Sequence, residues 1–178
     1  GAILPNEFVS LRKTSDAKVE LKHGVKLLGR FREVQLKPTN SNFAIRWRGI
    51  QPKLKERRYQ GAFNIKVRNG NLQIINEVDM DTYLMGVVES EGGGGKPLEY
   101  YKAQAVISRT YAIKHQNKHA KEDFHLCDQV HCQAYHNMLR FTDDIATAVT
   151  ATSGTYLVQK SNGELVDGYF HANCGGQT

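Results

Sequence analysis

The sequence predicts an α+β fold, in which a β-rich N-terminal portion precedes central helices and a C-terminal β-hairpin. Short, mostly alternating runs with β-branched or aromatic members fill residues 8–78. After Asp79 the apolar spacing changes from two residues to three or four, which indicates helices. A hydrophobic content of 40% over 178 residues suits one ordinary domain, or two small ones, with a real core.

Four strands are predicted from the alternating runs of the N-terminal portion. Turn residues separate them, and Asn69-Gly70 is a strong signal for a two-residue hairpin turn, because both residue types tolerate positive φ. The predicted strands cover residues 34–36, 43–47, 63–67 and 72–74.

Three helices are predicted after the strands. Asp79 is suited to cap the first, and Pro97 suits the first position of a second over about residues 98–117. A third helix is predicted over residues 143–152, capped by Thr142 and with acidic residues in its first turn.

The predicted C-terminal hairpin follows Gly154, which is suited to end the third helix. Its two strands are residues 155–159 and 165–171, and turn-forming residues lie between them.

Charge is distributed unevenly along the chain, whose net charge is +6. Residues 1–78 hold 16 Lys+Arg against 6 Asp+Glu, whereas residues 79–178 hold 8 against 12. A basic half can attract a polyanion or a membrane surface, and the alternative is a set of solvated strand faces. Basic and aromatic residues do not interleave as in RNA-binding proteins, so nucleic acid is not favoured as a partner.

Glu91 is the first candidate for chemistry. This carboxylate ends a helical segment and is followed by four glycines, Gly92 to Gly95, which contribute no packing and leave room for a turn or a ligand. The alternative is a solvated carboxylate at a helix end. Glu89 is the internal comparison, because two residues of spacing put it on a different side of a helix.

Four blocks of sequence carry a resemblance to a known family. In chain order they are residues 81–91, 102–112, 127–135 and 169–178, and residues 59–61 and 75–77 match the entry to the domain. Together they resemble the stage II sporulation protein D family, which contains lytic transglycosylases of peptidoglycan and amidase-enhancer relatives. The resemblance predicts a family domain over residues 57–178, truncated if the family's usual continuation is missing, and leaves residues 1–56 as a β-rich region of uncertain role.

The resemblance implies that Glu91 is the catalytic acid and base of a lytic transglycosylase. Such an enzyme cleaves the β-1,4 bond between N-acetylmuramic acid and N-acetylglucosamine and leaves 1,6-anhydro ends. One carboxylate suffices, because the C6 hydroxyl of the sugar replaces the water that a hydrolase must activate. The alternative is a non-catalytic module that binds the cell wall or activates an amidase.

Five further residues are expected to line the glycan groove or support it, again by resemblance: Lys102, Gln104, Arg109, His171 and Cys174. The alternatives are a solvent-exposed Lys102 and an Arg109 that bridges two structural elements. A cysteine hydrolase built on Cys174 and His171 is disfavoured, because no orienting acid is identifiable.

A structural zinc site is predicted in the segment that gathers histidine and cysteine. Two thiolates with imidazoles suit tetrahedral zinc, and the chosen ligands are Cys127, Cys132, His131 and His119, with His125 the alternative for the last. A disulfide between the two cysteines and two free thiols are the competing expectations. The chemistry itself needs no cofactor, because no metal-activated water takes part.

The resemblance also sets the expected surroundings. Peptidoglycan glycan strands are the expected substrate, with or without their stem peptides, and a cell-wall amidase is an expected partner. An extracytoplasmic location follows, with any signal or anchor absent from this chain. Gly92 to Gly95 replace a Met-Pro of many relatives, so a more mobile loop is expected there.

Overall fold

The structure, a computed structural model, describes residues 7–39, 44–136 and 143–171. It contains eight strands and three α-helices in these ranges, together with one short 3-10 helix at Ala120–Glu122. The strands are β1 (Val9–Lys13), β2 (Val19–His23), β3 (Lys26–Phe31), β4 (Glu33–Leu36), β5 (Ile45–Trp47), β6 (Arg57–Tyr59), β7 (Ala62–Arg68) and β8 (Asn71–Glu77). The helices are α1 (Met80–Gly92), α2 (Leu98–Lys114) and α3 (Asp143–Ala151). The α+β class and the β-rich N-terminal region are confirmed.

The chain divides into two compact units, of which the strand unit comprises the described residues before 44 together with 61–77. It holds two antiparallel sheets with the strand orders β1-β2-β3 and β4-β7-β8. The predicted turn between β7 and β8 is confirmed, since Asn69 and Gly70 have φ angles of 49° and 73°. The residues of β1, β2 and β3 lie in the region expected to be β-rich, but the sequence predicted no individual strand there.

The helical unit comprises residues 44–60 and the described residues from 78 onward. Its core lies where the three helices meet, and full burial of each large apolar side chain there stabilises the fold by about 1.5–3 kcal/mol. The buried members of this core are Leu84, Val88, Tyr101, Ala105, Ile145, Ala148 and Val149. The predicted division at residue 57 follows the family resemblance rather than compactness, and it stays a prediction.

Asp79 caps α1 as expected. Its side chain accepts hydrogen bonds from the backbone N–H of Thr82 at 2.9 Å and from the hydroxyl of Thr82 at 2.7 Å. Burial by itself would raise the pKa of Asp79, but these hydrogen bonds outweigh it and lower the pKa. The cap therefore fixes the point where α1 begins.

The predicted C-terminal hairpin is not confirmed as a pair of regular strands. One isolated antiparallel bridge joins Val158 to Leu165, and the N–H of Gln159 donates to the carbonyl of Glu164 at 2.7 Å. Gly154, after α3, has a φ angle of 72° and suits the end of that helix. The Thr142 cap lies outside the described residues. None of the described helices has both the length and the apolar character needed to cross a membrane.

Candidate active site and metal centre

Glu91 lies in the last turn of α1, where its side chain is exposed. Its Oε1 accepts a hydrogen bond from the backbone N–H of Ala134 at 2.7 Å. The preceding residue is held from the same segment, because the N–H of His136 donates to Ser90 Oγ at 3.0 Å. Residues 133–136, hereafter the clamp segment, therefore fix the end of α1 through two backbone amides.

Gln133 fixes the other end of the clamp segment between two helices. It is only 1% exposed. Its Oε1 accepts from the hydroxyl of Tyr83 on α1 at 3.1 Å, and its Nε2 donates to the carbonyl of Ser108 on α2 at 3.3 Å. Burial raises the pKa of Tyr83, so that its hydroxyl keeps the proton it donates. Gln133 thus satisfies two buried polar groups and holds the clamp segment against α1 and α2.

The glycine loop after Glu91 is tied to the core by one hydroxyl. Tyr101, buried in α2, donates from its Oη to the carbonyl of Gly93 at 3.1 Å and accepts from the N–H of Lys96 at 3.0 Å. Gly93 and Gly95 have φ angles of 65° and 73°, a conformation that favours glycine. A more mobile loop was expected here. In the structure, both ends of the loop are hydrogen-bonded to the buried hydroxyl of Tyr101.

The four predicted metal ligands come together in one place. The ligand atoms of His119, Cys127, His131 and Cys132 all lie within 4.8 Å of one another. Cys132 Sγ is 3.4 Å from His119 Nε2 and 3.7 Å from His131 Nδ1, and Cys127 Sγ is also 3.7 Å from His131 Nδ1. Ligands at the usual zinc distances stand roughly 3.5 Å apart at the corners of a tetrahedron. This group of four, hereafter the ligand cluster, fits zinc by donor type and by spacing.

His119 is oriented for its place in the ligand cluster by a carboxylate. Its Nδ1 pairs with Glu122, one turn later in the 3-10 helix, which leaves Nε2 facing Cys132. An outer carboxylate of this kind fixes the tautomer and orientation of a ligating histidine. His125, the alternative ligand, does not belong to the cluster formed by the described residues.

The two cysteines of the cluster are free thiols in the structure. Burial raises the pKa of Cys132, which favours the neutral thiol when no cation faces it. The Lys118 ammonium lies beside the cluster, donating to the carbonyl of His131 at 2.6 Å and to the hydroxyl of Tyr111 at 3.0 Å. Lys118 therefore links the cluster to Tyr111 on α2. The cluster is joined directly to the clamp segment, since Cys132 precedes Gln133.

Comparison with known proteins decides the family. The model of the SpoIID family, described as stage II sporulation protein, matches residues 68–159. The chain belongs to this family. An uncharacterized protein of Brachyspira hyodysenteriae (strain ATCC 49526 / WA1) is 33% identical over 121 residues, which are 67% of this chain and 32% of that relative. The chain thus spans about a third of the length of the curated relative it matches, and no solved structure matches it.

SpoIID membership associates the chain with a cell-wall-related role in sporulation. Both α1 and the ligand cluster lie inside the matched residues, and so does the clamp segment. The part of the chain that carries the candidate site is therefore the part that carries the family.

Among the residues of this chain predicted to line or support a groove, Arg109 has a structural role. It is 2% exposed, and its guanidinium pairs with Asp81 at 3.0 Å and donates to the carbonyl of Thr152 at 2.7 Å. Further bonds reach the carbonyls of Val149 and Thr155. Arg109 therefore joins the start of α1 to the end of α3, as in the bridging alternative.

Lys102 and Gln104 both bond to neighbours within α2. Lys102 Nζ pairs with Glu99 at 2.7 Å on the outer face of the helix, and Gln104 Nε2 donates to Ser108 Oγ at 3.2 Å in the interior. Neither bond reaches Glu91, so a role for either residue in a groove stays a prediction.

The remaining predictions lie at the end of the chain. His171 is exposed and is the last described residue, whereas Cys174 lies outside the described residues. Glu89, the comparison for Glu91, is half-buried in α1 while Glu91 is exposed. This difference agrees with the expectation that the two carboxylates point to different sides of the helix.

The sequence analysis missed several participants of the site, among them the amide of Ala134, the side chain of Gln133, the hydroxyl of Tyr101 and the carboxylate of Glu122. Gln133 and Ala134 stand inside one of the family blocks, so their positions were visible but their partners were not. A backbone amide leaves no signature in a sequence, because every residue except proline has one.

Proposed function

We propose that this chain carries a peptidoglycan lytic transglycosylase domain that cleaves the β-1,4 bond between N-acetylmuramic acid and N-acetylglucosamine. The observation that carries the proposal is Glu91, a solvent-accessible carboxylate at a helix end whose Oε1 is held by the Ala134 amide. A held carboxylate with one oxygen engaged can present the other to a substrate in a defined direction. SpoIID membership supports the cell-wall setting.

The chemistry needs one proton carrier. Glu91 donates a proton from Oε2 to the glycosidic oxygen while the bond from that oxygen to C1 breaks. The C6 hydroxyl oxygen of the muramic acid then bonds to C1 and gives its proton back to Glu91. The products are a chain with a free 4-hydroxyl and one with a 1,6-anhydro end, so atoms balance without water. The Ala134 N–H stabilises the carboxylate formed in the first step.

We propose that the ligand cluster holds zinc as a structural ion. Bound there, zinc would cross-link the segment from His119 to Cys132 and so anchor the clamp segment that begins one residue later. The four donors match the tetrahedral zinc sites of proteins in type and number, and Glu122 supplies the outer partner of His119. Zinc takes no part in the bond cleavage, which Glu91 carries by itself.

The proposal places the domain outside the cytoplasm, where peptidoglycan is, and makes glycan strands its substrate. Cooperation with a cell-wall amidase is part of the proposal, because removal of stem peptides exposes the glycan. A module that binds glycan without cleaving it is the alternative outcome.

The test is digestion of purified glycan strands, with and without stem peptides, followed by mass-spectrometric counting of 1,6-anhydro ends. We expect anhydro ends with the wild type, a loss of at least 100-fold with Glu91→Gln, and near-normal activity with Glu89→Gln. Binding of glycan without anhydro ends would favour the non-catalytic module. Equal losses in the two variants would remove the assignment of Glu91.

A further inference from the structure

We infer that the β5–β6 hairpin is a contact site for an anionic membrane surface. The hairpin belongs to the helical unit and consists of residues 44–60. This segment contains six Lys+Arg against one acidic residue, Glu56. The inference does not depend on the proposed cleavage of glycan, since it concerns a different segment of the chain and a different ligand.

One face of the hairpin packs on the body of its unit. The rings of Tyr59 and Tyr135 lie 5.9 Å apart, and Arg57 pairs with Asp128 at 3.6 Å. Side chains alternate across a strand, so the neighbours of these residues face the other way. The hairpin is thereby fixed in orientation, with its second face turned outward.

The outward face places two arginines side by side. Arg46 and Arg58 are direct cross-strand partners, and both are exposed. Like charges in this position destabilise a strand pair. An anionic surface facing the two arginines would attract both and so offset their mutual repulsion. Water and dissolved ions offset this repulsion only weakly.

The tip of the hairpin adds apolar side chains to this charge. Ile50 is 73% exposed and Leu54 is 59% exposed, although both belong to a closed turn in which the N–H of Leu54 donates to the carbonyl of Gly49 at 3.0 Å. Exposed basic residues flank them on both sides, namely Arg48, Lys53 and Lys55.

Apolar side chains surrounded by basic ones match the interface of a bilayer with anionic lipids. The apolar pair would enter the boundary between headgroups and acyl chains, while the cations meet the phosphates. A soluble polyanion would use the charges but would leave Ile50 and Leu54 in water. The combination therefore favours a membrane surface over an acidic polymer.

The test is co-sedimentation of the chain with vesicles of phosphatidylcholine alone or mixed with an equal part of phosphatidylglycerol. We expect binding to the anionic vesicles and little to the neutral ones. Ile50→Ser with Leu54→Ser should weaken binding by about tenfold, because apolar area is lost. Arg48→Gln with Lys53→Gln should weaken it by on the order of tenfold or more, because each cation near such a surface contributes about fivefold.

A matched pair in the strand unit serves as the control. Val25 is fully exposed and Lys26 follows it at the β2–β3 turn, so Val25→Ser with Lys26→Gln removes similar groups elsewhere. Binding unchanged in this control and in Glu91→Gln, but lost in the hairpin variants, supports the inference. Equal loss in the control, no effect of the Ile50 and Leu54 changes, or soluble polyphosphate displacing the protein completely from vesicles would overturn it.

Discussion

At the scale of single residues, two charged side chains of the helical unit have opposite surroundings. Glu91 is exposed and is held by one backbone amide, whereas Arg109 is buried and is satisfied by Asp81 and by carbonyls at the end of α3. A buried charge is tolerated only with such partners. Arg109 therefore holds the fold, and Glu91 remains accessible to the proposed substrate.

Replacing Arg109 tests this division. Arg109→Leu leaves Asp81 and several carbonyls without their donor, so we expect the free energy of unfolding to fall by about 3 kcal/mol. Arg109→Lys should lose less, because an ammonium keeps the charge but not the planar set of donors. Lys102→Gln is the control and should change stability by less than about 0.5 kcal/mol. Urea unfolding followed by far-UV circular dichroism measures all three, and a stable, inactive Arg109→Leu would instead indicate a groove residue.

At the scale of elements, helix ends decide where the site lies. α1 begins at the Asp79 cap and ends at the glycine loop, which Tyr101 ties to α2. Glu91 therefore has a fixed position along the axis of α1 relative to the cap. A shift at either end would move the carboxylate away from the Ala134 amide.

The Asp79 cap should make stability depend on pH in the acid range. The folded pKa of Asp79 is lowered, so the cap stabilises fully above the unfolded pKa of about 3.9 and loses this contribution as pH falls through the folded value. Asp79→Asn keeps most of the capping but cannot titrate, and Asp79→Ala should cost about 1 kcal/mol at pH 7. Urea midpoints at pH 7 and pH 3 measure the effect. A gap between wild type and Asp79→Ala that is as wide at pH 3 as at pH 7 would contradict it.

Gly168 shows how closely the C-terminal segment approaches α2. Its φ angle is 66°, and an added Cβ would stand 2.9 Å from the carbonyl oxygen of Ile107 and 3.0 Å from the N of Tyr111. Gly168→Ala should therefore destabilise by more than about 2 kcal/mol, because backbone atoms cannot move aside. Gly163→Ala is the control, since its φ of 73° is similar but its surroundings are open, and about 1 kcal/mol is expected. Thermal unfolding compares them, and equal losses would show that φ strain alone matters.

At the scale of the whole molecule, the ligand cluster and the candidate active site are consecutive in the chain. Cys132 is a candidate ligand, and the residues directly after it bond to Ser90, Glu91, Tyr83 and α2. Order in the cluster would thus be passed to Glu91 over a few peptide bonds. This proximity would account for a structural metal in the proposed reaction, which itself uses none.

If the ligand cluster holds zinc as proposed, its removal should free the clamp segment before the helices unfold. With a chelator, the amides of Ala134 and His136 should exchange with deuterium at least tenfold faster, because their acceptors on α1 are no longer held in place. Amides in the middle of α2 should change little. Cys127→Ser should reproduce the effect without a chelator. Exchange by Ala134 and His136 at an unchanged rate would show that the clamp segment stands without metal.

Much of the fold follows from local signals that the sequence displays. The Asp79 cap and the Asn69-Gly70 turn each depend on a few neighbouring residues, and both are found as predicted. Pro97 is the N-cap of α2 rather than its first helical residue, and α2 ends at Lys114 rather than near residue 117. The strands β1 to β3 were less visible, because charged residues alternate with apolar ones through much of them. The hairpin predicted after Gly154 does not form as two regular strands among the described residues, where one isolated bridge joins Val158 to Leu165.

The sequence by itself determined the family, the start of α1 and the four residues that gather as candidate metal ligands. Caps and turns act over a few residues, and His119 to Cys132 are close enough along the chain for one loop to unite them. Only the tertiary structure decided that Arg109 is a bridge and that Glu91 is held by Ala134. Those contacts join residues 43 apart, through backbone groups that every residue carries, so they exist only once the helices have packed.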